Sequence, residues 1–242
     1  MNELQTSTDS AFAGGSTVSI DPRRTHAHAS HARRTGGSFR AWAILLITAA
    51  LGLAADLVSK TLAFRFIGPA PVTVRRDDVL LQMQQDPASL MLLIPPEAQR
   101  PVTVIPHVLD LQLVLNAGAV FGAGQGKRWV FIGFTVVILI FAVAAIFPRW
   151  TSRRDHISHV AIGLIVSGGL GNLYDRLRFA CVRDFLHPLP TAQLPFGLKW
   201  PNGSTALWPY VSNVADALLL IGIGILMLRL WRTDPPLPAH GS

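Results

Sequence analysis

Residues Trp129–Phe147 read WVFIGFTVVILIFAVAAIF, a stretch without a single charge. As an α-helix rising about 1.5 Å per residue it reaches roughly 28 Å, close to the hydrocarbon thickness of a bilayer. Working outward, three more apolar runs of similar length appear. They are Ala41–Val58, broken by Asp56; Ile157–Tyr174, carrying His159 and Asn172; and Val211–Leu228, holding Asn213 and Asp216. Inside lipid the backbone finds no water and must satisfy its own N–H and C=O groups, so each run is read as a helix. The expected fold is an all-α membrane protein, four transmembrane helices with a small outward-facing β-sheet and loop subdomain.

Composition agrees. The 242-residue chain is 50% hydrophobic and 14% charged, whereas soluble domains carry about 25% charged residues. The net charge of +7 does not point to nucleic acid. Basic residues cluster beside the apolar runs, where cytoplasmic loops and anionic headgroups account for them, and no basic, aromatic-interleaved module is present. Membrane lipids are the expected surroundings, and no obligate protein partner is evident. The one cysteine, Cys181, excludes an intrachain disulfide, and its apolar and basic neighbours suit packing better than nucleophilic chemistry.

Residues 1–40, rich in Ser, Thr, Ala, Gly, His and Arg, read as a disordered cytoplasmic tail. No apolar stretch of the signal-peptide kind follows the first few residues. His26, His28 and His31 read as part of that solvated tail rather than as a metal site, since no acidic or cysteine partner lies nearby. The membrane domain then covers 41–232, and 233–242 form a short C-terminal tail.

Basic residues set the orientation. Arg33, Arg34 and Arg40 precede helix one, Arg149, Arg153 and Arg154 lie between helices two and three, and Arg229 and Arg232 close helix four. All of these are cytoplasmic if the N-terminus is inside, which returns the C-terminus inside as well. The connections of about 59–128 and 175–210 then face outward. The first contains Pro69, Pro71, Pro87, Pro95, Pro96, Pro101 and Pro106, with short apolar or alternating stretches between them at Val72–Val74, Val102–Ile105 and Leu109–Leu115. This pattern predicts a small sheet on the membrane surface and a flexible insertion near 67–106.

A charge inside an apolar span is costly, so such residues are functional candidates. Helix one, running outward, carries Asp56 near its outer end. Helix three brings Asn172 and Asp175 to the same side, and Asp184 follows. Helix four runs inward with Asp216 about one and a half turns from its start, roughly 8 Å deep. The intramembrane acids therefore gather towards one leaflet. Two carboxylates that meet where water is scarce cannot both ionise easily and hold one proton between them. The ionised member draws a proton from water and the protonated member donates to a carbonyl oxygen, which hydrolyses a peptide bond without metal, organic cofactor or covalent intermediate.

Position alone leaves open which acids pair. Asp56 and Lys60 are spaced i,i+4, like a structural helical ion pair, and Asp175–Arg176 reads equally as a cap or ion pair. Ion and proton pathways also use intramembrane acids, but acids at one depth do not line a path across both leaflets.

Four blocks then resemble a known family in order and helix placement. Asp56-Leu57-Val58-Ser59-Lys60 resembles D-x-x-x-K at the end of helix one. Asn116-Ala117-Gly118-Ala119-Val120-Phe121-Gly122 resembles N-x-G-A-A-F before helix two. Gly168-Gly169-Leu170-Gly171-Asn172-Leu173-Tyr174-Asp175-Arg176, followed by Val182-Arg183-Asp184-Phe185, resembles G-G-x-x-G-N-x-x-D-R and then V-x-D-F. Asn213-Val214-Ala215-Asp216 resembles N-x-A-D at the start of helix four. These are the motifs of the lipoprotein signal peptidases (signal peptidase II), and they span Asp56 to Asp216.

The resemblance implies that Asp184 and Asp216 are the catalytic aspartates. Asn116, Gly118, Asn172, Asp175, Arg176 and Asn213, with Asp56 and Lys60, would bind substrate or support the site. It implies an aspartyl endopeptidase of the bacterial inner membrane that needs no metal or cofactor. Its substrates would be lipid-modified prolipoprotein signal peptides, cut before a diacylglyceryl-bearing Cys at an active site towards the outer leaflet. Gly168, Gly169 and Gly171 read as packing residues that let helices approach. Asn116-Ala117-Gly118 alone could be only a turn between strands; with the resemblance it reads as an active-site or substrate-contact segment. The chain departs from the family pattern at Ala180, where Gly is usual, at Ser212, where Phe is frequent, and in its longer loops, including Gln193–Thr205.

Overall fold

The structure is a computed structural model that describes residues 38–118, 128–151, 155–200 and 203–233. The N-terminal tail with its three histidines and Arg33 and Arg34, the segment 119–127, Arg153 and Arg154, and residues beyond 233 lie outside the described residues.

Helix α1 runs Phe39–Phe66, with Ser38 as N-cap accepting from Ala41 N. It extends eight residues beyond the expected end at Val58, because Ser59–Phe66 contains no breaker and its Ala63 and Phe64 are buried. Helix α3, Arg128–Phe141, is prolonged by a π-helical turn, Ala142–Ile146, and by a last turn α4, Phe147–Trp150. The widening has a local cause. Pro148 has no N–H for the carbonyl four residues back, and its ring presses on that turn. Helix α5, His156–Phe179, starts at Asp155, whose carboxylate accepts from Ser158 N and Ser158 Oγ. Helix α6 is Val214–Thr233. Among the described residues α1, Arg128–Ile146 and α5 are long and apolar enough to cross a membrane.

Helix α5 is the central element, packed against α1, α3 and α6. Two of its glycines permit this. A Cβ on Gly168 would stand 2.3 Å from the Ala215 carbonyl oxygen, and one on Gly171 2.3 Å from Asp56 Oδ2. In a membrane, small residues of this kind replace the missing hydrophobic drive with close backbone packing. The far ends of α5 and α6 are tied by Arg229 Nη2 donating to Asp155 Oδ1 at 2.7 Å. Helix α3 is peripheral, and its Trp129, Phe134, Val137 and Ile140 face outward.

The sheet lies at the other end of the bundle. Among the described residues it is β1 (Val102–Ile105), β2 (Leu109–Asn116) and β3 (Val182–Pro188), all antiparallel, in the order β1-β2-β3. Two of the three stretches expected as strands are strands. Val72–Val74 is not: it leads into a helix, α2, Arg76–Gln85. The segment read as a flexible insertion folds into α2 and two 3₁₀ turns, Pro87–Leu93 and Pro96–Ala98. Their Val79, Leu90, Ile94 and Ala98 share a core with Phe64, Leu113, Leu115, Cys181 and Phe185. Burial of that apolar set, which alternation alone does not reveal, orders the segment.

Helix α5 ends where Ala180, buried, adopts φ +66°. A left-handed terminus favours glycine, and a Cβ there costs about 1–2 kcal/mol. Ala180→Gly removes that strain and adds about 0.5–1 kcal/mol of unfolded-chain entropy. It also loses a buried methyl from the core, worth about 0.8 kcal/mol, so the three contributions nearly cancel and the thermal midpoint in detergent is expected to stay within about 3 °C of wild type. A larger fall would show that the turn bears no strain.

Candidate active site

Period-two alternation along β3 sends Arg183 and Asp184 to opposite faces. Asp184 pairs with Val114 across the sheet and lies diagonal to Asn116, which pairs with Val182. Asn116 Nδ2 donates to Asp184 Oδ2 at 3.0 Å, while Asn116 Oδ1 accepts from Gly118 N at 3.0 Å. Asn116-Ala117-Gly118 is thus a turn, and the turn fixes the amide that reaches Asp184.

The chain enters α6 from an isolated bridge at Ser212 rather than as a helix. Ser212 bridges to Leu186, its carbonyl accepting from Phe185 N and Leu186 N at 2.8 Å each. Helix α6 therefore begins three residues later than expected, and Asp216 stands in its first turn, not one and a half turns in. Asn213 is the N-cap. Its Oδ1 accepts from Asp216 N at 3.1 Å, and Asp216 Oδ2 accepts from Asn213 N at 3.1 Å, a reciprocal capping arrangement. The cap fixes the Asp216 carboxylate, and the bridge to β3 brings Asn213 against Asp184.

Two amides connect the carboxylates. Asn213 Nδ2 donates to Asp184 Oδ1 at 2.6 Å and to Asn172 Oδ1 at 3.1 Å, and Asn172 Nδ2 donates to Asp216 Oδ1 at 2.8 Å. Asp184 is buried and Asp216 half-buried. Burial first, and the charge of Asp216 second, push the Asp184 carboxyl up to about 7, against the pull of Asn116 and Asn213. At neutral pH this pair can hold one proton.

Behind it lies a charged layer. Lys60 Nζ donates to Asp56 Oδ2 at 2.8 Å and to Asn172 Oδ1 at 3.1 Å, and lies 3.5 Å from Asp175 Oδ2. Asp56 Oδ1 accepts from Ala215 N at 2.8 Å. The i,i+4 ion pair is present, and it also orients the site. With two donors on its Oδ1, the Asn172 amide can only point its NH₂ at Asp216.

Asp175 does not pair with Arg176. It pairs with Arg183 through Nη2 at 2.9 Å and Nε at 3.3 Å, and accepts from Arg183 N at 3.0 Å. Because α5 runs on to Phe179, Asp175 lies inside the helix and faces β3. Arg176 donates instead to the carbonyls of Asn172 and Gly118, at 3.3 and 3.2 Å, holding the Asn116 turn against α5. The sequence reading missed Arg183 and the Ala215 N–H. Arg183 occupies the variable position of V-x-D-F, and a backbone donor leaves no mark in sequence. Cys181 is buried, and burial pushes its thiol up to about 12, which leaves it protonated and inert.

Comparison with known proteins supplies the family. The family model described as signal peptidase (SPase) II matches residues 48–232. The lipoprotein signal peptidase of Desulfitobacterium hafniense is 34% identical over 133 residues, covering 55% of this chain and 76% of that protein. Its counterpart in Halothermothrix orenii is 34% identical over 133 residues, covering 55% and 77%. That of Streptococcus pyogenes is 30% identical over 133 residues, covering 54% and 74%. Two solved structures, each of a bacterial membrane enzyme determined by the in meso method, share the fold. The one at 2.3 Å resolution has a TM-score of 0.53 at 23% identity and covers 82% of this chain and 94% of that one. The one at 1.9 Å has the same score and identity and covers 78% and 94%. A family match over most of the chain, on apolar helices that bring the four sequence blocks into one hydrogen-bonded cluster, identifies this chain as a member of the signal peptidase II family of membrane aspartyl proteases, a bacterial membrane hydrolase.

Proposed function

We propose that this chain removes the signal peptide from diacylglyceryl-modified bacterial prolipoproteins, cutting before the lipidated Cys, with Asp184 and Asp216 sharing the activation of water. The observation that carries this reading is the pair of carboxylates joined through Asn213 and Asn172. In the resting pair Asp184 holds the proton. Asp216 accepts from Asn213 N and Asn172 Nδ2 at the start of a helix. Asp216 takes a proton from water as that water attacks the scissile carbonyl, and Asp184 donates to the oxygen as it becomes tetrahedral. Asp216 then gives its proton to the leaving nitrogen while Asp184 takes one back from a hydroxyl of the tetrahedral intermediate; the C–N bond breaks as the carbonyl re-forms, and the pair is reset. Asn116, Gly118 and Arg176 support the substrate-facing turn, and Asp56, Lys60 and Asp175 the back of the site.

In this reading α6 is a fourth span. Its 20 residues reach about 30 Å, and its end is tied to the start of α5. Both termini are cytoplasmic, the membrane is the inner one, and the sheet and site face the outer leaflet. Residues 41–232 form the peptidase domain between two tails. The acyl chains of the substrate stay in lipid while its scissile bond meets the acids.

A gel-shift assay in detergent or lipid tests this, with the diacylglyceryl-modified prolipoprotein beside its unmodified precursor. Cleavage of the modified form alone is expected, with the new N-terminus at the lipidated Cys. Equal cleavage of both forms points to an intramembrane aspartyl protease of other specificity. A folded chain that cuts neither points to a signal-peptide binder.

A further inference from the structure

Away from the carboxylates, on the sheet side of the bundle, arginines cluster without a matching set of acids. A cavity of about 380 Å³ is lined by Thr73, Val74, Arg75, Arg76, Asp77, Arg178 and Phe179. Three guanidiniums and one carboxylate share its wall. Arg75 precedes α2 as an N-cap without a side-chain capping bond, and the first turn of that helix carries Asp77 and Asp78. Arg76 reaches across to α5, where Nη1 donates to the Leu177 carbonyl. Arg178, in the last turn of α5, is exposed and lies over the Phe179 ring.

A second observation comes from another helix. Arg128, the first residue of α3, is 8% exposed, yet its Nη1 has no hydrogen-bond partner among the described residues. The charged group acting on it is another cation, Arg76. Segment 119–127, which precedes it, contains no acid. A buried guanidinium with an unpartnered donor costs free energy until an anion reaches it. Arg128 Nη1 is such a donor, whereas Arg76 Nη1 is already given to the Leu177 carbonyl, and guanidiniums suit the oxygens of a phosphate.

Depth identifies the source. Helices α3 and α5 cross in opposite senses, so the start of α3 at Arg128 and the end of α5 at Arg178 lie at one membrane surface. That is the level of phospholipid phosphates.

We propose that Arg75, Arg76, Arg128 and Arg178 form a site for the phosphate of an anionic phospholipid, bound at the edge of the bundle beside α2. The lipid neutralises Arg128 and ties α2, and with it the sheet-packed segment that follows, to α3 and α5. The shared chemistry is a phosphate-bearing anion. This inference needs only the membrane placement of α3 and α5 and is independent of which peptide bond the enzyme cuts.

The full chain, purified in lipid-free detergent, is titrated with phosphatidylglycerol, phosphatidylcholine and inorganic phosphate while its thermal midpoint is followed. Phosphatidylglycerol is expected to raise the midpoint well above the effect of phosphatidylcholine, and inorganic phosphate to leave it unchanged. Arg178→Gln, at an exposed position, keeps the fold and weakens the apparent lipid affinity about tenfold, and Arg128→Gln does so at least as strongly. Equal responses to the two lipids, or a wild-type response in Arg178→Gln, would overturn the site. A full response to inorganic phosphate would overturn the lipid as its occupant.

Discussion

If the proposed reading holds, Asp184→Asn and Asp216→Asn are each expected to lower kcat/KM on the lipidated prolipoprotein by about 10³-fold or more, the scale of a positioned acid or base. The double variant is expected to lose little beyond either single one, because effects within a proton-sharing unit do not add. Both side chains keep their size, and the uncut substrate should still bind, which separates lost chemistry from lost fold. The pH profile carries the assignment. Burial and the charge of Asp216 hold the Asp184 carboxyl near 7, so below that pH the pair keeps its shared proton. As pH rises through about 7 Asp184 ionises, no acid remains for the carbonyl oxygen, and kcat/KM falls about tenfold per unit. Single-turnover rates across this range test it. Activity that instead rises through 7 makes Asp184 the base, and a variant that retains near wild-type rates removes its residue from the chemistry.

Much of this site is legible in the sequence, for a physical reason. Asp56, Asn172, Asp216 and their neighbours interrupt runs that are otherwise apolar, and a polar group in lipid must be satisfied by another polar group. Their convergence follows once the helices alternate in direction. What is not legible depends on contacts between distant segments. The start of α6 is set by Ser212 pairing with Leu186, so hydropathy placed that helix three residues early and Asp216 too deep. The apolar run ends at Val58, but α1 continues, because Lys60 is buried against Asn172 and Asp175 rather than at a terminus. Val72–Val74 has the composition of a strand, but among the described residues no strand pairs with it; Val72 N donates to the Phe64 carbonyl, and the chain enters α2. Arg183 carries no pattern of its own, since its partner Asp175 sits on a different element.

Lys60→Met should destabilise the protein by about 3–5 kcal/mol, the usual loss when one member of a buried ion pair is removed. Lys60 is fully buried, with Asp56 and Asp175 on either side and the Asn172 carbonyl oxygen in front. Methionine fills the volume but leaves the Asp56 carboxylate with the Ala215 N–H and no cation. Asp175 keeps Arg183, so the loss falls mainly on Asp56. The fold and the chemistry separate here. Without the Lys60 donor, the Asn172 amide keeps one donor on its Oδ1, Asn213 Nδ2, and its hold on Asp216 loosens. The thermal midpoint in detergent is therefore expected to fall on the order of 10 °C, and kcat of the surviving folded fraction to fall as well. Adding Asp56→Leu to Lys60→Met removes the stranded carboxylate and should recover part of the stability, a coupling that a double-variant cycle reads directly. It should not recover kcat, because the Asn172 orientation still lacks its cation. Recovery of both together would reduce Lys60 to a partner of Asp56 alone. A midpoint within a few degrees of wild type in the single variant would mean that water or Arg183 takes over the vacated charge.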